Sequence, residues 1–146
     1  APRAAFGGAG RMTIPLARGD KMPETLVGPF DAAAVAAYAA ASGDDNPLHL
    51  DPALAARAGF AAPPVHGMRL MAEIAPALGR WRPDMAIKRL SGTFVEPLLI
   101  GEAATLSGRV LRADDGEILV RVAIQGPRRG PSVLAEATLV PREIAA

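Results

Sequence analysis

The chain has no cysteine, which excludes disulfide staples, a thiolate nucleophile and every metal site built on sulfur. That absence fits a cytoplasmic setting. Aromatic residues make up only 4 % of the chain, so Leu, Val, Ile and Ala must fill most of the core. Net charge is +1, which offers no electrostatic basis for binding nucleic acid or a membrane surface. Long hydrophobic runs are missing as well. The apolar stretches are broken by Pro, Gly or charge, and none reaches the roughly 20 residues of a membrane span. Residues Ala1 to Arg11 lack the apolar centre of a secretory signal. What is present is ordinary: 146 residues, half of them apolar and 21 % charged, enough for one soluble domain with a real core.

Residues 1–11 are small, glycine-rich and without a period, and read as a flexible lead-in. Their Gly7-Gly8-Ala9-Gly10 run lacks the strand–helix context and the Lys-Ser/Thr of a phosphate loop. Met12 to Leu16 reads as a short edge strand because it contains Pro15. Gly19-Asp20 and Pro23 mark turns before an extended Thr25-Leu26-Val27. Asp31 is a good N-cap for a helix over Ala32 to Ala41, with Val35 and Tyr38 on one face and Ser42-Gly43 at its end. Asp51-Pro52 opens a second short helix that Gly59 closes. Paired prolines force Phe60 to Val65 into extended or turning backbone. His66-Gly67 then leads into an apolar helix, Met68 to Leu78, with Leu70, Met71, Ile74 and Leu78 on one side.

Beyond Pro83-Asp84 the period changes from helical to strand-like. Ile87 to Val95, Ala103 to Arg112, Ile118 to Ile124 and Val133 to Val140 read as strands. Asp114-Asp115-Gly116 marks a hairpin, and Gly126 to Pro131 a second turn. Pro141 to Ala146 reads as frayed. The order of elements implies an α+β fold in one domain, an antiparallel meander curved around a buried helix.

Chemistry concentrates in Ser42-Gly43-Asp44-Asp45-Asn46-Pro47-Leu48-His49. Asp44 and His49 lie close enough on an irregular loop to converge on one water molecule, and burial beside an acid suits a histidine to acid–base work. The plainer reading makes Asp44 a turn cap and His49 a satisfied polar residue. Asp45 reads as solvated, and Asn46 as a tie for the loop backbone. A metal would need a second histidine near this loop, so no metal site is expected. Gly67 opens a helix and leaves backbone N–H groups free to meet developing negative charge. The alternative is simply a tight entry into a packed helix. His66 itself reads as structural, Met68 as core, and Arg128-Arg129 as a solvated turn or a contact for phosphates.

The string from Ser42 to His49, followed by Ala55, resembles the signature of the MaoC-like family, the R-specific enoyl-CoA hydratases and their dehydratase relatives. Pro64-Val65-His66-Gly67-Met68 is similar to that family's second block, and Phe94 to Glu102 to its strand-end motif. Ala41 and Arg69 depart from the pattern, since larger aliphatic and apolar residues respectively are expected there. The resemblance implies a hotdog fold over residues 12–141, an antiparallel sheet wrapped around a long central helix from Gly67 to Leu78, with 142–146 frayed. It also implies a homodimer, an acyl-CoA or acyl-carrier-protein thioester as partner, and no cofactor. Asp44 and His49 become the expected catalytic pair and Gly67 the thioester-oxygen donor. Asn46, Val65 and Met68 are the flanking candidates for substrate binding. The implied reaction is reversible hydration of a trans-2-enoyl thioester to an (R)-3-hydroxyacyl thioester. A non-catalytic acyl-thioester binding module is the alternative from another class.

Overall fold

A computed structural model describes residues 15–143. The expected lead-in over 1–11, the start of the Met12 strand and residues 144–146 lie outside the described residues. Five strands form one antiparallel sheet: β1 (Lys21–Val27), β2 (Met85–Phe94), β3 (Ala104–Asp114), β4 (Glu117–Gln125) and β5 (Val133–Pro141). Their order across the sheet is β1-β3-β4-β5-β2. Only β3, β4 and β5 are therefore a meander. β2 crosses to the far edge and pairs with β5, a placement that strand patterns alone do not specify. Pro15 and Leu16 are not in a strand. Pro23, expected in a turn, lies inside β1, where the register shifts between Met22 and Thr25. A proline is tolerated there because β1 is an edge strand and the bulge spares its missing N–H.

The inner face follows the period-2 pattern. Leu106 and Val110 of β3, Val120, Val122 and Ile124 of β4, and Val133, Ala137 and Leu139 of β5 are all buried. In register, Val120 sits opposite both Val110 and Ala137, so each cross-strand pair presents one apolar layer to the helices.

Among the described residues, four α-helices complete the fold: α1 (Ala32–Ser42), α2 (Pro52–Arg57), α3 (Gly67–Met71) and α4 (Ile74–Trp81). The single helix expected over Met68 to Leu78 is thus two segments, and it runs on to Trp81. Pro76 is the reason. It has no N–H to donate to the Ala72 carbonyl and its ring crowds that oxygen, so the helix breaks at Ala72-Glu73 and restarts with Pro76 in its first turn. The buried stripe survives the break, because Leu70, Ile74, Ala77 and Leu78 all face the sheet. The C-terminal strand also extends further than its composition suggests. Pro141 pairs with Met85, and the Arg142 N–H donates to the Asp84 carbonyl at 2.9 Å, so the chain is held through Arg142 instead of fraying there. No helix among the described residues is long and apolar enough to cross a membrane.

Candidate active site

The loop after α1 begins at Gly43. Its φ of 78° is the left-handed conformation that ends the helix, and its N–H closes on the Ala39 carbonyl at 3.0 Å. Short side-chain ties then build the turn. The Asp44 N–H donates to Ser42 Oγ at 3.2 Å, and the Leu48 N–H to Asn46 Oδ1 at 3.0 Å. Pro47–His49 forms one 3₁₀ turn, which lifts His49 out of the loop. Asp51 caps α2 by accepting from the Ala53 and Leu54 N–H groups, and its own N–H donates to the Pro47 carbonyl at 2.8 Å. Both ends of the loop are therefore anchored to helices.

His49 is half-buried, and its Nδ1 lies 2.7 Å from the Pro64 carbonyl oxygen. A carbonyl only accepts, so Nδ1 carries the proton and Nε2 is left for chemistry. His66 is 1 % exposed. Its Nε2–H donates to the Asp44 carbonyl at 2.9 Å, while its Nδ1 has no partner among the described residues. The two imidazoles stack at 3.8 Å between centroids and 23° between planes, and Tyr38 packs on His66 at 4.8 Å. Asp44 itself is exposed. One atom each from the Asp44 carboxylate, His49 and His66 lie within 4.8 Å of one another. His66 is thus the second histidine that the loop sequence by itself lacks, with its ring stacked on that of His49. Each ring commits one nitrogen to a backbone carbonyl.

A cavity of about 220 Å³ lies alongside, lined by Pro64, Val65, Gly67, Leu70, Phe94 and Leu98 among others. Gly67 opens α3, so its N–H has no carbonyl one turn back within the helix. A Cβ at this position would lie 2.8 Å from the Phe94 ring. Only glycine lets the ring and the helix start approach so closely.

The expected site residues divide accordingly. Asp44 and His49 come together, and Gly67 and Val65 line the adjoining cavity. Asn46 is exposed and spends its Oδ1 on the loop, the backbone role its residue type suggests. Met68, expected to bind substrate, is 59 % exposed and is absent from the cavity lining, where Leu70 takes its place; one residue past Gly67, its side chain points to the outer side of α3. Arg69 turns to Glu73 at 2.8 Å and lies over the Phe30 ring at 4.9 Å. Sequence reasoning missed Tyr38, the Pro64 carbonyl and Phe94 as parts of the site, whereas His66, read as structural, does bond to backbone, at the Asp44 carbonyl. The shared face of Val35 and Tyr38 was the one signal available for Tyr38.

A family model described as "MaoC like domain" matches residues 16–125. The chain belongs to the MaoC-like family. This MaoC-like chain is 42 % identical over 103 residues to an (R)-specific enoyl-CoA hydratase of Aeromonas caviae, covering 66 % of this chain and 77 % of that protein. It is 37 % identical over 84 residues to a mitochondrial 3-hydroxyacyl-[acyl-carrier-protein] dehydratase of Arabidopsis thaliana, covering 58 % and 49 %. Among solved structures, the (R)-hydratase from A. caviae involved in PHA biosynthesis superposes with a TM-score of 0.77 at 34 % identity, over 87 % of this chain and 98 % of that one. An R-hydratase from Pseudomonas aeruginosa gives 0.76 at 25 % identity, over 90 % and 89 %. The hotdog architecture, a sheet curved around its helices, is common to the MaoC-like chain and these structures.

Proposed function

We propose that this MaoC-like chain is a hydro-lyase that reversibly adds water to a trans-2-enoyl thioester, giving the (R)-3-hydroxyacyl thioester. The observation that carries the reading is the clustering of the Asp44 carboxylate and the His49 ring within 4.8 Å, beside the cavity that Gly67 lines. That span is one a single water molecule bridges. Held between the two side chains, the water gives up a proton as its oxygen bonds to C3. The alkene electrons move toward the thioester oxygen, where the Gly67 N–H meets the developing charge. The Asp44/His49 pair takes up the proton the water releases and delivers a proton to C2, which completes the addition. An acid–base pair contributes roughly 10² to 10⁴ in rate, and one oxyanion donor about 10² to 10³. Val65 and Leu70 supply apolar walls for the acyl group. The chemistry asks for no cofactor.

Similarity to the A. caviae hydratase favours a CoA thioester. Similarity to the A. thaliana dehydratase supports the same reaction on an acyl carrier protein as the second reading. Two copies are proposed to pair along β2, an edge strand of ten residues whose outer side has no strand partner among the described residues. Phe94 and Val95, at 50 % and 53 % exposed, mark apolar surface at its end.

The test is loss of the conjugated-thioester ultraviolet absorbance of crotonyl-CoA, with Asp44→Asn alongside. The expected result is turnover by the native chain and a kcat roughly 10² to 10⁴ lower in the variant. Asp44 is exposed, so the melting temperature should hold. Ligand binding without turnover of any enoyl-CoA or enoyl-carrier protein would instead identify a binding module.

A further inference from the structure

Arg128 lies on the turn between β4 and β5, where its sequence context suggests a solvated cation. Instead it is drawn inward. Its Nη1 donates to the Pro97 carbonyl at 3.1 Å and to the two Glu102 carboxylate oxygens at 3.0 and 2.8 Å. The side chains of Arg128 and Glu102 are only 32 % and 21 % exposed. Charge-assisted bonds in that setting persist better than those of a fully solvated pair. Gln125 shapes the turn that presents Arg128, since its Nε2 reaches the carbonyls of Gly126, Arg128 and Gly130. Glu102 Oε1 also accepts the Leu99 N–H at 3.1 Å.

The loop fastened in this way is the crossover from β2 to β3. Its middle forms a small antiparallel bridge with the segment before α3. The Val65 N–H donates to the Leu98 carbonyl at 2.7 Å, and the Ile100 N–H to the Pro63 carbonyl at 2.9 Å. Pro64 sits between them, opposite Leu99. Its own carbonyl is left over from that pairing and accepts His49 Nδ1–H at 2.7 Å. The bond that sets the tautomer and aim of His49 therefore depends on where the crossover loop lies.

We propose that Arg128 and Glu102 are positioning residues, an ion-pair clamp on the Pro97–Glu102 loop that sets the Pro64 carbonyl and through it the His49 ring. The catalytic consequence rests on the hydratase reading above; the geometric one does not. Misplacing a catalytic group by about 1 Å from a distance can cost on the order of 10²-fold, so a clamp remote from the chemistry is able to govern kcat.

The test measures crotonyl-CoA kcat and KM, the imidazole ¹⁵N spectrum of His49 and the melting temperature. These are compared in the full chain and in Arg128→Met, Glu102→Gln, Arg128→Lys and the double variant R128M/E102Q. Arg128→Met should lower kcat roughly 10- to 100-fold with little change in KM, and should shift or broaden the His49 Nδ1–H signal. The double variant should be no worse than the worse single one, because both remove the same contact. Lysine should restore part of the rate, since it reaches a carboxylate but lacks the guanidinium fork. Glu102→Gln keeps side-chain shape and carries the test if Arg128→Met does not fold. An unmoved His49 signal overturns the proposal, whether kcat holds or falls. So does a loss of rate that only tracks melting temperature. If the native chain hydrates no enoyl thioester while the His49 signal still moves, the clamp stands and the hydratase reading falls.

Discussion

His49 and His66 are both tied to a backbone carbonyl, yet they serve opposite ends. His49 gives Nδ1–H to Pro64 and keeps Nε2 available, whereas His66 gives Nε2–H to Asp44 and buries its Nδ1. The second histidine thus holds the backbone of the first acid and provides the face on which His49 stacks. His66→Phe separates these parts, because a phenyl ring keeps the stack and loses the bond. It also removes a buried nitrogen that has no partner among the described residues, which carries a desolvation cost. The expected outcome is a kcat lower by about 10-fold or more, in the range that misplaced groups produce, with a melting temperature unchanged or raised. Steady-state kinetics and a thermal melt on the same sample check it. Unchanged kinetics would show that the Asp44 carbonyl needs no holding.

At the scale of elements, the site is a loop pinned between two helix ends. Gly43 is the sharper of the two pins. At φ 78°, any L side chain costs about 1–2 kcal/mol, and no neighbouring atom obstructs the added methyl. Gly43→Ala is therefore expected to destabilise by that amount through backbone conformation alone, measured by chemical denaturation. It should also lower kcat, because the chain enters Asp44 directly from this residue. The break between α3 and α4 belongs to the same scale. Pro76 ends α3 after one turn beyond Gly67, so the segment carrying the candidate oxygen donor is a short helix with its own direction.

For the whole molecule, the sheet order decides where surface is left open. β1 and β2 are the two edges. β1 is short and carries Pro23 at its bulge, which discourages pairing. β2 is longer, regular beyond Arg89, and ends in exposed Phe94 and Val95. Pairing of two copies along β2 predicts a dimer near 30 kDa, twice the 15.1 kDa chain, by sedimentation at micromolar concentration. Replacing Val95, exposed at the end of that edge, with lysine should shift the equilibrium toward monomer. A native monomer at that concentration would refute the pairing.

Local signals determined much of this protein. The caps at Asp31 and Asp51, the alternation through Ile118 to Ile124, and the acid-histidine string are contained within a few residues each, where propensity and spacing act directly. Family membership was legible for the same reason, since its motifs are contiguous. What the tertiary structure alone decided involves residues far apart in the chain. The pairing of β2 with β5 instead of β3, the stacking of His66 on His49 and the capture of Arg128 by Glu102 each require long-range closure. None leaves a periodic trace, because a single contact across the fold imposes no pattern on its neighbours in sequence.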